Sequence, residues 1–196
     1  MNIILASNSP RRRELLERIG VTGFTVWAPN VDESVEPGLS PADMVEELSL
    51  RKAQAAKNLG PDGLIIAADT VVALDGAVLG KPRDENGAFS MLSALSGREH
   101  RVYTGITVLR GDKTVTEHEV TAVAFRELAP DEIRGYIATG EPMDKAGAYG
   151  IQGVGALLVS GIRGDYCNVM GLPVFRLGQI LREFGLDLLR RNAEPS

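Results

Sequence analysis

The sequence predicts an α/β fold in which a mixed sheet is divided between two lobes that flank a cleft. Strand and helix patterns alternate through the first half of the chain, which is typical of sheets with parallel strands. The apolar run 64–74 indicates a central strand that is covered on both faces. A hairpin pattern in the middle of the chain adds antiparallel strands. At 196 residues, the chain is expected to form a single domain, residues 1–196.

Capping residues mark the helices of the first half. The pairs Ser9-Pro10 and Ser40-Pro41 each place a serine N-cap before a proline at the first helical position, where the missing N–H has no cost. In chain order we predict a strand at 3–5, a helix at 10–19, an extended segment at 24–28, a helix at 41–59, the central strand at 64–74 and a helix at 84–95.

The second half contains β-branched segments and then a stretch rich in glycine. We predict hairpin strands at 102–109 and 114–125, a helix at 130–138, a strand at 156–162 within the glycine-punctuated stretch 140–171, and a closing helix at 173–184 followed by a polar tail.

Composition excludes several classes of protein. A net charge of −5 argues against a general nucleic-acid binder, because such proteins need a basic surface. Cys167 is the only cysteine, so no internal disulfide can form. We see no secretory signal pattern and no apolar run as long as a membrane span, and therefore expect a cytoplasmic protein without a membrane partner. One cysteine and two separated histidines exclude a structural zinc site, so any metal would be held by oxygens, which favours Mg²⁺ or Mn²⁺.

Three arginines occupy the first turn of the first predicted helix. Arg11, Arg12 and Arg13 follow a strand and the loop Ser7-x-Ser9. Positive charge is unfavourable at a helix N-terminus, unless an anion binds there. Backbone N–H groups, serine hydroxyls and guanidinium groups together suit a phosphate. A solvated basic turn is the alternative, and the position after a strand favours the phosphate.

Asp69 is a carboxylate inside an apolar strand, where an unpaired charge would be costly. It could face a cleft in which a cation neutralises it, or it could cap the next turn, and the pattern does not decide between these. Thr70 could help to hold an oxygen ligand or could be an ordinary strand residue. Taken alone, Glu33 and Lys52 are typical of a surface loop and a solvated helix face.

Two further segments carry polar side chains among glycines. Lys81 follows Gly80, but the spacing from Gly76 is one residue short of a P-loop and Pro82 stands in the Ser/Thr position, so we interpret Lys81 as a phosphate-binding point charge. Gln152 lies among glycines in an order that does not fit a dinucleotide-binding loop. Its amide could donate to and accept from a base edge, or could simply belong to an exposed loop.

Together these segments resemble the Maf family of nucleoside triphosphate pyrophosphatases over nearly the whole chain. The resemblance rests on Ser7-x-Ser9-x-Arg11-Arg12, Glu33, Lys52 within Arg-Lys-Ala, Ala68-Asp69-Thr70-Val71-Val72, Gly80-Lys81-Pro82, Ser96-Gly97 and Val102-Tyr-Thr-Gly105. It implies the Maf/inosine triphosphate pyrophosphatase-like fold and a homodimer. The segment 140–153 is similar to the branch of this family that hydrolyses dTTP and UTP.

The resemblance also implies a reaction and roles for the site residues. The expected reaction cleaves dTTP or UTP between the α and β phosphates, giving the monophosphate and pyrophosphate and clearing non-standard nucleotides. The implied roles are a divalent cation (Mg²⁺ or Mn²⁺) on Glu33 and Asp69, proton acceptance by Asp69, triphosphate binding by Lys52, Lys81, Ser7, Ser9, Arg11 and Arg12, and base selection by Arg11, Thr70 and Gln152. The alternative is a nucleotide-sensing regulator of cell division and septum formation for which catalysis is not essential.

Overall fold

A computed structural model of the chain describes residues 2–36, 38–60 and 62–191. The strands are β1 (Ile3–Leu5), β2 (Thr25–Val26), β3 (Leu64–Leu74), β4 (Ala77–Leu79), β5 (Glu99–Arg110), β6 (Lys113–Phe125) and β7 (Val159–Arg163). The α-helices are α1 (Pro10–Arg18), α2 (Pro41–Ala56), α3 (Glu85–Leu95), α4 (Pro130–Ile137), α5 (Tyr166–Met170), α6 (Val174–Glu183) and α7 (Leu188–Arg191). Short 3₁₀ helices occur at Lys57–Leu59, Glu141–Asp144, Ala146–Ala148 and Gly153–Leu158.

The described strands form one mixed sheet. Its order is β2-β1-β3-β5-β6-β7, and β4 pairs with β3 outside this path. β1 runs parallel to β2 and β3, whereas the pairs β3–β4 and β6–β7 are antiparallel. The prediction of an α/β fold with a mixed sheet is therefore confirmed.

The chain divides into two compact units, in agreement with the two predicted lobes. Unit 1 contains the residues up to 69, residues 104–119 and the residues from 171 onwards. Unit 2 contains residues 70–103 and 120–170. The strands β3, β5 and β6 each contribute residues to both units, and the chain passes from unit 1 to unit 2 between Asp69 and Thr70.

In unit 1, helix α2 packs very closely on β5. A Cβ atom added to Gly105 of β5 would lie 2.1 Å from the carbonyl oxygen of Val45 in α2, so only glycine allows this approach. Next to this contact, the buried hydroxyls of Ser49 and Thr107 lie 2.9 Å apart, and that of Thr107 lies 3.0 Å from the hydroxyl of Thr116. These contacts fix α2, which carries the predicted site residue Lys52, against the sheet.

In unit 2, three aromatic rings form a buried cluster. The ring centroids of His100, Phe125 and Tyr149 lie 4.8–5.3 Å apart, with nearly perpendicular planes. His100 is only 2% exposed, and its Nε2 atom lies 2.8 Å from the hydroxyl of Tyr149. Within the described part of the chain, its Nδ1 atom is buried without a hydrogen-bond partner. Burial therefore lowers the pKa of His100 to about 4.

The buried histidine predicts a loss of stability in mild acid. Above pH 6.5 the imidazole is neutral in both the folded and the unfolded chain. As the pH falls from 6.5 towards 4, only the unfolded chain takes up the proton, so the free energy of unfolding should fall by about 2 kcal/mol between pH 7 and pH 5. Urea unfolding at both pH values measures this loss. His100→Gln should reduce the pH dependence by that amount, and an unchanged pH dependence in this variant would contradict the assignment.

Several predicted elements differ from the structure. The strand predicted at 156–162 begins later, because Gly153–Leu158 is a 3₁₀ helix and β7 covers Val159–Arg163. The backbone is held in this compact turn because the carboxylate of Glu141 accepts the N–H groups of Val154 and Gly155. Of the extended segment predicted at 24–28, only Thr25–Val26 pairs as a strand.

Among the strands and α-helices of the described residues, three were not predicted. Strand β4 and helix α5 are too short to show a periodic pattern, and α7 lies in the segment predicted as a polar tail. Residues 192–196 of that tail lie outside the described residues. No helix in the described ranges is long and apolar enough to span a bilayer.

Candidate functional site

Seven of the predicted site residues belong to unit 1 and come from five segments. They are Ser7 and Ser9 in the loop after β1, Arg11 and Arg12 in the first turn of α1, Glu33 in the loop after β2, Lys52 on α2 and Asp69 in β3.

Two carboxylates share the ammonium group of Lys52. The Nζ atom of Lys52 lies 2.5 Å from Oδ1 of Asp69 and 2.7 Å from Oε1 of Glu33. The side chains of Lys52 and Asp69 are each 13% exposed, whereas that of Glu33 is 63% exposed. Because a carboxylate in an apolar strand needs a partner, Lys52 accounts for the position of Asp69. Of the two interpretations of Asp69, this contact supports the one in which the side chain faces a cationic group.

The N-terminus of α1 lies next to this cluster. The hydroxyl of Ser9 caps the helix by accepting the backbone N–H of Arg12. Arg12 donates from Nε to the carbonyl oxygen of Gly171 at 2.7 Å and from Nη1 to the hydroxyl of Ser7 at 3.0 Å. Desolvation lowers the pKa of the Arg12 guanidinium, while the charges of Asp69 and Glu33 act to raise it. Arg12 therefore interacts electrostatically with both carboxylates.

The first turn of α1 contains no acidic side chain. Arg11 is half-buried and Arg13 is exposed, so positive side chains add to the positive end of the helix dipole. Asp69 and Glu33 provide part of the compensating charge for Arg12. This surplus of positive charge at the positive end of a helix dipole favours an anion at that end.

The other three predicted residues belong to unit 2. Thr70 follows Asp69 in β3 and is half-buried, Lys81 is exposed after β4, and Gln152 is half-buried before the Gly153–Leu158 helix. The carbonyl of Gly80 accepts the N–H of Gly147 at 3.0 Å, so the segment with Lys81 is joined to the turn at 145–148.

The loop that carries Gln152 is held by a residue that the sequence did not indicate. The carboxylate of Glu141 accepts the backbone N–H groups of Val154 and Gly155, both at 3.1 Å, and the hydroxyl of Tyr136 at 2.9 Å. The Tyr136 oxygen in turn accepts the N–H of Gly150 at 3.1 Å. This network fixes the backbone on both sides of Gln152.

The glycines of that loop were the one feature of the sequence from which its close packing could have been inferred. A Cβ atom at Gly155 would lie 2.2 Å from the carbonyl oxygen of Gly150, and one at Gly153 would lie 2.7 Å from a carboxylate oxygen of Glu141. The glycines are therefore required by close packing of the loop on itself and on Glu141.

The donor set for a metal ion is small. Among the residues that the structure describes, no three His, Cys, Asp or Glu side chains are grouped so that they could hold one metal ion. Asp69 and Glu33, which face one cationic atom, would supply two oxygen ligands. A protein typically supplies one or two carboxylate ligands to a Mg²⁺ ion, and water and phosphate oxygens supply the other ligands.

The chain is similar to known proteins over nearly its whole length. The model of the Maf-like protein family matches residues 2–184. The chain is 54% identical over 192 residues to a dTTP/UTP pyrophosphatase of Moorella thermoacetica, covering 96% of this chain and 98% of the relative. It is 50% identical over 191 residues to a dTTP/UTP pyrophosphatase of Symbiobacterium thermophilum, covering 97% and 98%.

Among solved structures, the fold is similar to that of a HAM1 protein from Coxiella burnetii. The TM-score is 0.55 at 14% identity, and the match covers 93% of this chain and 99% of that chain. The family match extends over nearly the whole sequence. The chain therefore belongs to the Maf family.

Proposed function

We propose that the protein is a nucleoside triphosphate pyrophosphatase that converts dTTP and UTP to the monophosphate and pyrophosphate. The observation that carries this proposal is the contact of Asp69 and Glu33 with one ammonium group beside Arg12 and the N-terminus of α1. The names of relatives with about half of their residues in common supply the substrate class.

The cationic groups bind the triphosphate. Arg11 and Arg12 provide guanidinium groups, Ser7 and Ser9 provide hydroxyls, and the N-terminal end of the α1 dipole adds positive potential. Lys52 and Lys81 add point charges. Hydrolysis of a phosphoanhydride depends mainly on positioning and charge neutralisation, and these residues supply both.

The carboxylates act on the attacking water. Asp69 accepts its proton, and Asp69 and Glu33 together would hold a divalent cation, Mg²⁺ or Mn²⁺. When bound, such an ion makes water more acidic and screens the charge of the phosphates. Lys52 keeps the two carboxylates close together before substrate binds, because both contact its ammonium group.

Base selection belongs to Gln152, assisted by Thr70 and Arg11. The side-chain amide of Gln152 can both donate to and accept from a pyrimidine edge. The hydrogen bonds of Glu141 to the backbone at 154–155 restrict where this amide can lie. We further propose that the protein is a cytoplasmic homodimer that acts on free nucleotides and does not bind nucleic acid, which the net charge of −5 supports.

A substrate panel tests this function. Pyrophosphate and phosphate release should be measured with all common ribo- and deoxyribonucleoside triphosphates, in Mg²⁺, in Mn²⁺ and in excess chelator. We expect pyrophosphate, the highest kcat/KM for dTTP and UTP, and no turnover in chelator. Release of phosphate instead of pyrophosphate, or a preference for purines, would overturn the proposal. Binding of dTTP without turnover would indicate the nucleotide-sensing regulator of septum formation.

A further inference from the structure

The loop that carries Glu33 is tied to helix α2 by the guanidinium of Arg51. The Nη1 atom of Arg51 donates to the carbonyl oxygen of Asp32 at 3.1 Å and to that of Ser34 at 2.6 Å. These are the residues directly before and after Glu33. The Nη2 atom of Arg51 binds the carboxylate of Glu47 one turn earlier on α2, which orients the guanidinium.

Packing contributes little to the position of Glu33. Its side chain is 63% exposed, and residues 31–36 have no regular secondary structure. Within the loop, the side chain of Asp32 accepts the N–H of Ser34 at 2.8 Å, which shapes the turn but does not attach it to the helix. Arg51 provides that attachment, while the neighbouring Lys52 binds the Glu33 carboxylate itself.

An open cavity separates part of this loop from α2. It has a volume of about 700 Å³ and is lined by loop residues, including Val31 and Val35, and by Arg51 and Gln54 of the helix. Beside this cavity, the Arg51 hydrogen bonds join the backbone of the loop to α2.

We propose that Arg51 is a positioning residue that acts through Glu33. Its guanidinium fixes the two carbonyl groups that flank Glu33 and so places the carboxylate beside Lys52 and Asp69. This inference rests on the proposed function, because the placement matters for catalysis only if Glu33 takes part in it. Lysine cannot replace arginine here, since one ammonium lacks the fork that reaches both carbonyls and Glu47.

A double-mutant cycle tests the coupling between Arg51 and Glu33. Arg51→Ala should lower kcat/KM for dTTP by about 10- to 100-fold and raise the Mg²⁺ concentration for half-maximal rate, since mispositioned groups cost about that much. Arg51→Lys should recover little activity. In the Glu33→Gln background, Arg51→Ala should cause no further loss, because both changes remove the same contribution. Multiplicative losses would overturn the inference.

Chemical rescue with guanidinium ions is a second test of the role of Arg51, because the cavity beside Arg51 is open to small solutes. Millimolar guanidinium chloride should restore activity to Arg51→Ala, but not to the variant that also carries Glu33→Gln. Restoration of the double variant would contradict a role through Glu33. The matched control is Arg18→Ala on α1, which removes another arginine from an i,i+4 pair with a glutamate and should leave kcat/KM unchanged.

Amide hydrogen exchange separates this inference from the proposed function. In Arg51→Ala the N–H of Ser34, which donates to the side chain of Asp32, should exchange at least tenfold faster, with exchange in the core of α2 unchanged. Unchanged exchange in the loop would overturn the inference whatever the activity. A wild-type protein without pyrophosphate release would instead overturn the proposed function and leave the exchange result standing.

Discussion

Asp69→Asn should lower kcat for dTTP by about 10³-fold, in the range expected when a general base is removed. The amide cannot accept the proton of the attacking water, and it carries no charge to hold a cation. In the wild type, Lys52 donates to Oδ1 of Asp69 at 2.5 Å, and the amide oxygen of the variant can still accept this hydrogen bond. The variant should therefore remain folded. Pyrophosphate release and thermal unfolding measure the two properties.

The matched control for this variant is Asp75→Asn. Asp75 lies six residues further along the chain, its side chain is 73% exposed, and its partner is Arg98. Its φ of 51° is in the left-handed region, which asparagine tolerates as well as aspartate. We expect wild-type turnover from Asp75→Asn. If Asp69→Asn kept turnover within tenfold of the wild type, the assignment of the base would be wrong.

Gly105→Ala should destabilise the fold by about 3 kcal/mol or more, which is at or above the upper end of overpacking costs. The added Cβ would lie 2.1 Å from the carbonyl oxygen of Val45 and 2.8 Å from the amide nitrogen of Glu46. Both atoms belong to the backbone of α2, so no side-chain rotation relieves the clash. Urea unfolding measures the loss, and an insoluble product would be the extreme result.

Gly178→Ala serves as the control for this change. Gly178 lies within α6, also in unit 1, and a Cβ atom there meets nothing within 4 Å. Alanine in a helix interior is favoured over glycine, so this variant should be more stable by about 0.5–1 kcal/mol. Equal stability of the two alanine variants would contradict the close approach of α2 to β5.

The parts of the fold that could be predicted from the sequence are those set by local chemistry. Ser9 and Ser40 each cap a helix through a side-chain oxygen, and the sequence predicted both caps. The apolar run of β3 was equally clear, because its burial on both faces requires nearly continuous hydrophobic residues. Residues 156–158 were predicted wrongly as the start of a strand, because a short apolar run has the same periodicity in a strand and in a compact turn.

Most of the candidate site could not be predicted from local pattern. Lys52 on a helix and Glu33 in a loop are typical of solvated surfaces, and only the resemblance to the Maf family singled them out. The contacts of Lys52 with Glu33 and Asp69 depend on the packing of α2 and of the loop after β2. Arg51 and Glu141 act on backbone groups distant from them in the sequence, and such contacts leave no periodic signal.

The ammonium group of Lys52 is an internal counter-ion for the protein before substrate arrives. Two negative side chains that would otherwise repel each other are held together by one positive charge that the fold itself supplies. A dication entering by itself must compete with that lysine. A dication that is already bound to a polyphosphate would bring phosphate oxygens, which could accept hydrogen bonds from Lys52 in place of the carboxylates. A divalent cation bound as proposed on Asp69 and Glu33 would therefore enter more readily together with the nucleotide than by itself.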